Sequence, residues 1–472
     1  MTLKFLLVSF GLIILYSEAK LKQKFQAKRK LFQNVYGKID GNIRDGDAGD
    51  PLILTDLINE GKIDEARHAA AVTSDIFLGI ESYSGYLRVD DTYNSILFFW
   101  FVPSQSNAKL DPLVMWLQGG PGASSMYGLF NENGPFVIGE NGSLILRETH
   151  WGETNSLLYF DQPAGTGFSK TNNGYAQNQT KVGDDLYTAL IQFFKLFPNL
   201  RETDFFITGE SYGGKYIPAI GHKIFRSNPT ADLKINLKGI AIGNGWCVPE
   251  YQLRYSEYVH QHGLIDLSVK NAMNDMEEKA IQLIQQEEYG AALAVMEEDF
   301  GSLFSLFGQA ASYIDPYNYL KVSLTDNEAN LNNFLSREDV RRAIHVGNNE
   351  FTDDSNVYTN LEDDIPKSIA NLLIDLINNY RVVLYNGQLD IVVAYPMMIT
   401  YLQNLNFDAA EEYKNAERKV WYSDNNDIMG YTKTAGNLTE ILVRNAGHMV
   451  PSDQPEVALK LINQLVRNIP FN

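Results

Sequence analysis

The sequence predicts an α/β fold, a mostly parallel central sheet with helices on both faces and a helical cap inserted over one edge. Three observations predict it. From residue 80 onward, short apolar runs rich in β-branched and aromatic residues alternate with stretches of helical period, the pattern of a parallel sheet built from strand–helix units. Several of these runs are continuously apolar, as strands covered on both faces should be. Between Cys247 and about residue 350 the strand signal nearly vanishes and Glu, Gln, Ala and Leu dominate, which marks the cap.

Taken in order, the first residues form an address rather than a structural element. Lys4 supplies a positive start, Phe5 to Tyr16 an apolar stretch, and Ser17-Glu18-Ala19 a small-x-small cleavage site, so residues 1–19 are expected to be a removed signal peptide. The apolar stretch is too short to span a bilayer, which takes roughly 18 or more apolar residues, and no later run is long enough. A basic segment from Lys20 to Lys30 and a Gly- and Asp-rich linker from Asn42 to Asp50 follow. Residues 20–79 are therefore expected to be an N-terminal arm or pro-segment. Within it Thr55–Val72 has helical period, with Thr55 as N-cap.

Strands are expected at Ser82–Val89, Ser95–Val102, Pro112–Leu117, Ser156–Phe160, Phe205–Thr208, Lys238–Ile242, Arg381–Tyr385 and Glu440–Arg444. Helices are expected at Asp184–Phe197 and Pro366–Asn379, and within the cap at Ser268–Gln286, Ala291–Leu306 and Ser336–Ile344. The last opens on a capping-box pattern, Ser336-x-x-Asp339. The chain then divides into a first core half, 80–246, the cap, 247–350, and a second core half, 351–472. The cap either packs over the sheet edge or forms part of a cleft, and the two roles are compatible.

Composition narrows the function. The 472 residues are 44% hydrophobic and 21% charged, an ordinary globular balance. A formal charge of −19 at pH 7 argues against nucleic acid and anionic membranes as partners. With Cys247 as the sole cysteine no intrachain disulfide can form, and that residue is expected to be buried as a small apolar group. Asn141, Asn178 and Asn437 head N-x-S/T acceptor triplets for glycosylation. Together with the signal peptide they place the chain in the secretory pathway, either exported or kept in an acidic, lysosome-like lumen. No metal-ligand cluster or nucleotide loop is present in the sequence, so no cofactor is expected. Monomer and homodimer both stay open.

The chemistry starts at Gly209-Glu210-Ser211-Tyr212-Gly213, which follows the apolar run Asp204–Thr208. A Gly-x-Ser-x-Gly after a strand and before a helix is a nucleophile elbow, a turn tight enough to lift the serine hydroxyl above the sheet edge. A serine hydroxyl needs a base, usually a histidine held by a carboxylate. Of the seven histidines, only His448 sits in a turn directly after a late strand. Asp390 follows the strand Arg381–Tyr385 across a Gly-containing turn, whereas Asp364, Asp375 and Asp427 lie in helical or loop segments. Ser211, Asp390, His448 is the chain order of α/β-hydrolases. Backbone N–H groups for the oxyanion are expected from Tyr212 and from the Gly-rich loop Gln118-Gly119-Gly120-Pro121-Gly122.

Four segments carry a resemblance. Trp116–Gly122, the Asp161-Gln162-Pro163 to Phe168-Ser169 run, Gly209–Gly214 and Gly447-His448-Met449-Val450-Pro451 resemble the serine carboxypeptidases, and most of all the vitellogenic-like enzymes of animals. The resemblance runs from about residue 80 to the end. It implies an α/β-hydrolase fold, a Ser211/Asp390/His448 triad, and Gly120 and Tyr212 as oxyanion donors. It further implies that Glu210, Glu132 and Gln118 receive the free C-terminal carboxylate of a peptide, one carboxyl being kept protonated by its like-charged neighbour. Acidic conditions should then favour binding. Met449 is expected to line the pocket of the departing residue.

Two positions depart from the family pattern. Gln118 replaces a frequent Asn, and Ala123 stands where many members carry a disulfide cysteine. The implied substrate is the C-terminus of a peptide or protein. The alternatives are an acyltransferase on the same scaffold, or a secreted binding or yolk-associated protein that has lost catalysis.

Overall fold

Eleven strands join in one sheet whose central six run parallel and whose two flanks run antiparallel. The structure, a computed structural model, describes residues 46–298, 303–311, 314–321, 327–352 and 355–471. The expected signal peptide, the basic segment and the first part of the linker lie outside the described residues.

The strands are β1 (Ala71–Val72), β2 (Ser82–Asp90), β3 (Ser95–Val102), β4 (Leu113–Leu117), β5 (Phe136–Ile138), β6 (Leu144–Leu146) and β7 (Ser156–Phe160). After them come β8 (Phe205–Glu210), β9 (Leu237–Gly243), β10 (Arg381–Gly387), β11 (Lys419–Tyr422), β12 (Ile428–Ala435) and β13 (Leu438–Val443). Their order across the sheet is β1-β2-β3-β7-β4-β8-β9-β10-β13-β12-β11, with β5 and β6 forming a separate hairpin. All eight expected strands form. The parallel expectation holds for the centre, and both edges are antiparallel.

Burial explains the centre. Every residue of β3, β4, β7 and β8 is buried. Because strand side chains alternate in direction, each strand feeds two cores. Leu113, Met115 and Leu117 of β4 enter one core, and Val114 and Trp116 enter the other. Helices Gln179–Leu196 and Gly213–Ser227 cover the first face through Leu186, Leu190, Phe193, Ile217 and Ile220. The C-terminal helix Pro455–Val466 covers the opposite face through Leu461, Ile462 and Leu465. Fully burying such a side chain contributes about 1.5–3 kcal/mol, which holds these strands at the centre of the fold.

Several element boundaries differ from expectation. Asn178 accepts a hydrogen bond from the Lys181 N–H and starts its helix at Gln179, five residues before Asp184. The helix expected from Pro366 starts only at Ala370, because the Lys367 and Ile369 N–H groups are given to the Asp364 and Cys247 carbonyls. Thr55 is no cap: its hydroxyl donates to Gln192 Oε1 and accepts from the Arg88 N–H. Left-handed Gly61 (φ +75°) splits the Thr55–Val72 segment into helices Thr55–Asn59 and Ile63–Ala70. Ser336 ends helix Asn327–Ser336 rather than capping the next, and Asp339 pairs with Arg337.

Between β9 and β10, Leu267–Gln285, Tyr289–Leu293 and Leu303–Ala310 are helical. Met273, Ile281, Leu293 and Phe307 sink into the first core. Leu54, Ile58, Ala66 and Ala70 enter the same core, so residues 46–79 are built into the folded body rather than hung from it.

Candidate active site

The elbow forms at the end of β8. Ser211 sits in the left-handed region at φ +60°, and its N–H donates to the Gly243 carbonyl at 3.0 Å. Its carbonyl accepts from the Gly214 and Trp246 N–H groups, each at 2.9 Å. These bonds hold a conformation that a serine adopts only at a cost. Gly209 is obligatory: a Cβ there would stand 2.0 Å from the Leu117 carbonyl oxygen.

The loops after β10 and β13 bring Asp390 and His448 together. His448 Nδ1–H donates to Asp390 Oδ2 at 2.8 Å, with both side chains wholly buried. Asp390 also accepts from Asn244 Nδ2 at 2.6 Å and from the Val392 and Val393 N–H groups at 2.7 and 3.2 Å. With Nδ1 committed to the carboxylate, Nε2 of a neutral ring is left as the acceptor. Ser211 Oγ and His448 Nε2 are both buried without a hydrogen-bond partner among the described residues.

Asn244 did not stand out in the sequence. It follows β9, beside the elbow that Gly243 holds, and its Oδ1 accepts from the Gly387 N–H at 3.2 Å. One side chain thus links the acid loop to the end of β10. The competing acids go elsewhere. Asp375 lies 3.1 Å from His222, Asp427 is exposed, and Asp364 is buried against Lys215.

The Gly-rich loop lies directly on the elbow. A Cβ at Gly119 would stand 2.6 Å from the Tyr212 nitrogen and 2.7 Å from Ser211 Cβ. The loop is braced from behind by buried Asp161, which accepts from Ser124 Oγ at 2.5 Å, the Ser125 N–H at 3.1 Å and the Phe168 N–H at 2.9 Å. Burial lifts the Asp161 carboxyl to about 6.

Beside the elbow, Gln118 is clamped between two acids. Trp116 Nε1 donates to Gln118 Oε1 at 2.6 Å, and an indole N–H can only donate. The amide orientation is therefore determined, and Gln118 Nε2 donates to Glu210 Oε1 at 2.8 Å and Glu132 Oε1 at 3.1 Å. All three side chains are buried, and the two carboxyls lie within hydrogen-bonding reach of each other. Burial is the main reason the Glu132 carboxyl rises to about 7.

The family model described as serine carboxypeptidase matches residues 73–468. The chain belongs to the serine carboxypeptidase family. The venom serine carboxypeptidase of Apis mellifera is 49% identical over 93% of this chain and 96% of its own length. The vitellogenic carboxypeptidase of Aedes aegypti is 43% identical over 89% of this chain and 90% of its own. The probable serine carboxypeptidase CPVL of Homo sapiens is 41% identical over 92% and 93% of the two chains. Among solved structures, a prohormone-processing carboxypeptidase of Saccharomyces cerevisiae superimposes with a TM-score of 0.74 at 26% identity, covering 82% of this chain and 92% of that one. The enzyme is a serine-type carboxypeptidase, a hydrolase with the α/β-hydrolase fold.

In this carboxypeptidase a strap, residues 315–321, runs across the loops that carry Asp390 and His448. The Tyr317 carbonyl accepts from the His448 N–H at 2.6 Å, and the two rings stand 5.4 Å apart. The Ile391 N–H donates to the Pro316 carbonyl at 2.9 Å. Asp453 closes the clasp, accepting from Gly447 N–H, Asn318 Nδ2 and Lys321 Nζ at 2.7, 2.9 and 2.7 Å.

Met449 is half-buried between the two cores. Cys247 is wholly buried, and burial pushes its thiol up to about 12, which makes it a packing residue rather than a nucleophile. Asn141, Asn178 and Asn437 are exposed. Among the described residues no helix is long and apolar enough to cross a membrane.

Proposed function

We propose that this carboxypeptidase reads the free C-terminal carboxylate of a peptide with Glu132 and Glu210, and cleaves the last peptide bond with Ser211. The observation that carries the reading is the Gln118 clamp on two buried acids next to the nucleophile. Ser211 Oγ attacks the last peptide carbonyl while His448 Nε2 takes its proton, and Asp390 holds the ring in the required tautomer. The N–H groups of Gly120 and Tyr212 receive the developing oxyanion, each worth about 3 kcal/mol of barrier. His448 then returns the proton to the departing amino acid, and water releases the acyl group from Ser211.

The carboxylate is bound without a cation. Two buried acids side by side cannot both ionise cheaply, so the pair keeps a proton and offers an O–H donor. Both Gln118 N–H groups are engaged by the acids, so Gln118 aims the pair and the acids' own O–H meets the substrate. A peptide α-carboxylate is ionised above roughly pH 3.5, while the Glu132 carboxyl keeps its proton up to about 7. Binding is strongest between those limits and weakens above them.

Met449 lines the pocket of the leaving residue, and the cap, residues 247–350, forms its outer wall. The acceptor triplets at Asn141, Asn178 and Asn437, the signal-like start and the relatives named for venom and yolk support a glycosylated protein of the secretory lumen. Incubating the purified protein with blocked dipeptides between pH 4 and 8 tests the reading. Release of the C-terminal amino acid, lost in Ser211→Ala, is expected. Turnover of esters alone would favour an acyltransferase, and failure of a fluorophosphonate to label Ser211 would favour a silent binding protein.

A further inference from the structure

Asp364, a losing competitor for the triad, stands behind the elbow instead. It ends the short turn Glu362–Asp364, which links helix Ser355–Leu361 to helix Ala370–Asn379. Its Oδ2 gathers three donors: Tyr212 OH at 2.6 Å, Gln179 Nε2 at 2.7 Å and Lys215 Nζ at 2.9 Å. Lys215 also donates to the Asp364 backbone carbonyl. The Lys215 side chain has no exposure and that of Asp364 only 4%. The Lys215 ammonium further lies 5.3 Å from the centre of the Tyr212 ring.

An ion pair this deep adds little net stability, because stripping water from both charges offsets their attraction. What it supplies is geometry. Tyr212 directly follows the nucleophile, its side chain is fully buried, and its phenol reaches the carboxylate from the far side of the turn. A phenol fixed at its tip leaves the Ser211–Tyr212 peptide little freedom to rotate. The N–H of that peptide is the proposed oxyanion donor, and such donors are effective only when held in place before charge develops. Lys215 serves to keep the buried acceptor charged and stationary.

We propose that Asp364, neutralised by Lys215, is a positioning residue that aims the Tyr212 N–H at the oxyanion through the Tyr212 hydroxyl. This rests on Tyr212 being an oxyanion donor, as proposed above. It assigns a role in the reaction to an acid that no catalytic motif contains.

The test is steady-state hydrolysis of a blocked dipeptide at pH 5.5 by the full chain and four variants. Ser211→Ala is the control for the parent reading: if it keeps activity, that reading fails and not merely this one. Tyr212→Phe removes only the hydroxyl and is expected to lower kcat about tenfold with KM within about twofold. The pair Lys215→Met/Asp364→Asn keeps a neutral acceptor and should retain kcat within about threefold, whereas Lys215→Met/Asp364→Leu should fall about tenfold like Tyr212→Phe. Equal kcat in the Asn and Leu pairs, or an unchanged kcat in Tyr212→Phe, would overturn the proposal. Should either double variant fail to fold by circular dichroism, Tyr212→Phe decides alone. A merely structural role would lower Tm and leave the split between kcat and KM unmoved.

Discussion

At the residue scale the site is governed by where protons can be held. Glu132 and Glu210 share a buried niche in which Gln118 presents hydrogens to both, and the Glu132 carboxyl is lifted to about 7 mainly by burial. The sign of the resulting pH effect follows. Under the function proposed above, the pair carries a donor for the substrate carboxylate below that value, and above it the niche becomes anionic and repels the same group. Replacing Glu132 by Gln supplies an N–H that does not titrate. Glu132→Gln is therefore expected to give a KM nearly independent of pH from 5 to 8, while the wild-type KM climbs by up to about tenfold per unit above pH 7. A variant KM that still rose above pH 7 would place the titrating group elsewhere.

Asn244 offers a second residue-scale test. Its Nδ2 donates to Asp390 at 2.6 Å. Asn244→Asp removes the donor and sets a second acid against the first, so that one of them must bind a proton. A fall in kcat of about tenfold or more at pH 5.5 is expected, with KM little changed, as for loss of an interaction that matters in the transition state. An unchanged kcat would show that the backbone N–H groups of Val392 and Val393 hold Asp390 unaided.

Elements behave as levers on these residues. The strap 315–321 is the clearest case, since Asp453 ties Asn318 and Lys321 to the Gly447 N–H one residue before His448. Asp453→Ala unties all three. Faster hydrogen exchange is then expected in 315–321 and 445–449 together, with kcat/KM down about tenfold. Exchange that rose in only one of the two segments would mean they are not coupled.

Elements also show what could be read in advance. The central strands were legible because each is a run of apolar residues that must be covered on both faces, as β3 is from Ser95 to Val102. The hairpin of β11 and β12 was not, because its exposed positions carry Lys419, Tyr422, Ile428 and Thr434 and leave no clean period. A capping role failed where long-range partners took a local group, as Gln192 and Arg88 take the Thr55 hydroxyl while the helix still starts there. The placement of Ser211, Asp390 and His448 in turns after strands was legible. Asn244, Asp453 and the Lys215–Asp364 pair were not, since each acts through partners distant in the chain.

Across the whole molecule the same acids set stability. Burial raises Glu132 and Glu277 to about 7, and Asp161 and Asp185 to about 6. A carboxyl raised on folding binds its proton more tightly in the native state. Its stabilisation is complete below the unfolded value of roughly 4 and is lost as pH rises through the folded value. Asp364 is shifted the other way by Lys215, so its contribution is lost only below that window. The −19 formal charge adds self-repulsion near neutrality. Tm is expected to be highest near pH 5 and to fall steadily toward pH 8 in a calorimetric series. A flat or rising Tm over that range would contradict the buried-acid account.

The central claim is that this enzyme recognises a carboxylate by means of protonated acids. The measurement that tests it most directly is KM for a blocked dipeptide and for its C-terminal amide, determined side by side from pH 4.5 to 8. The free acid should bind better at low pH and lose that advantage as pH passes about 7, with the amide nearly indifferent. Equal KM values for acid and amide at every pH would contradict the claim.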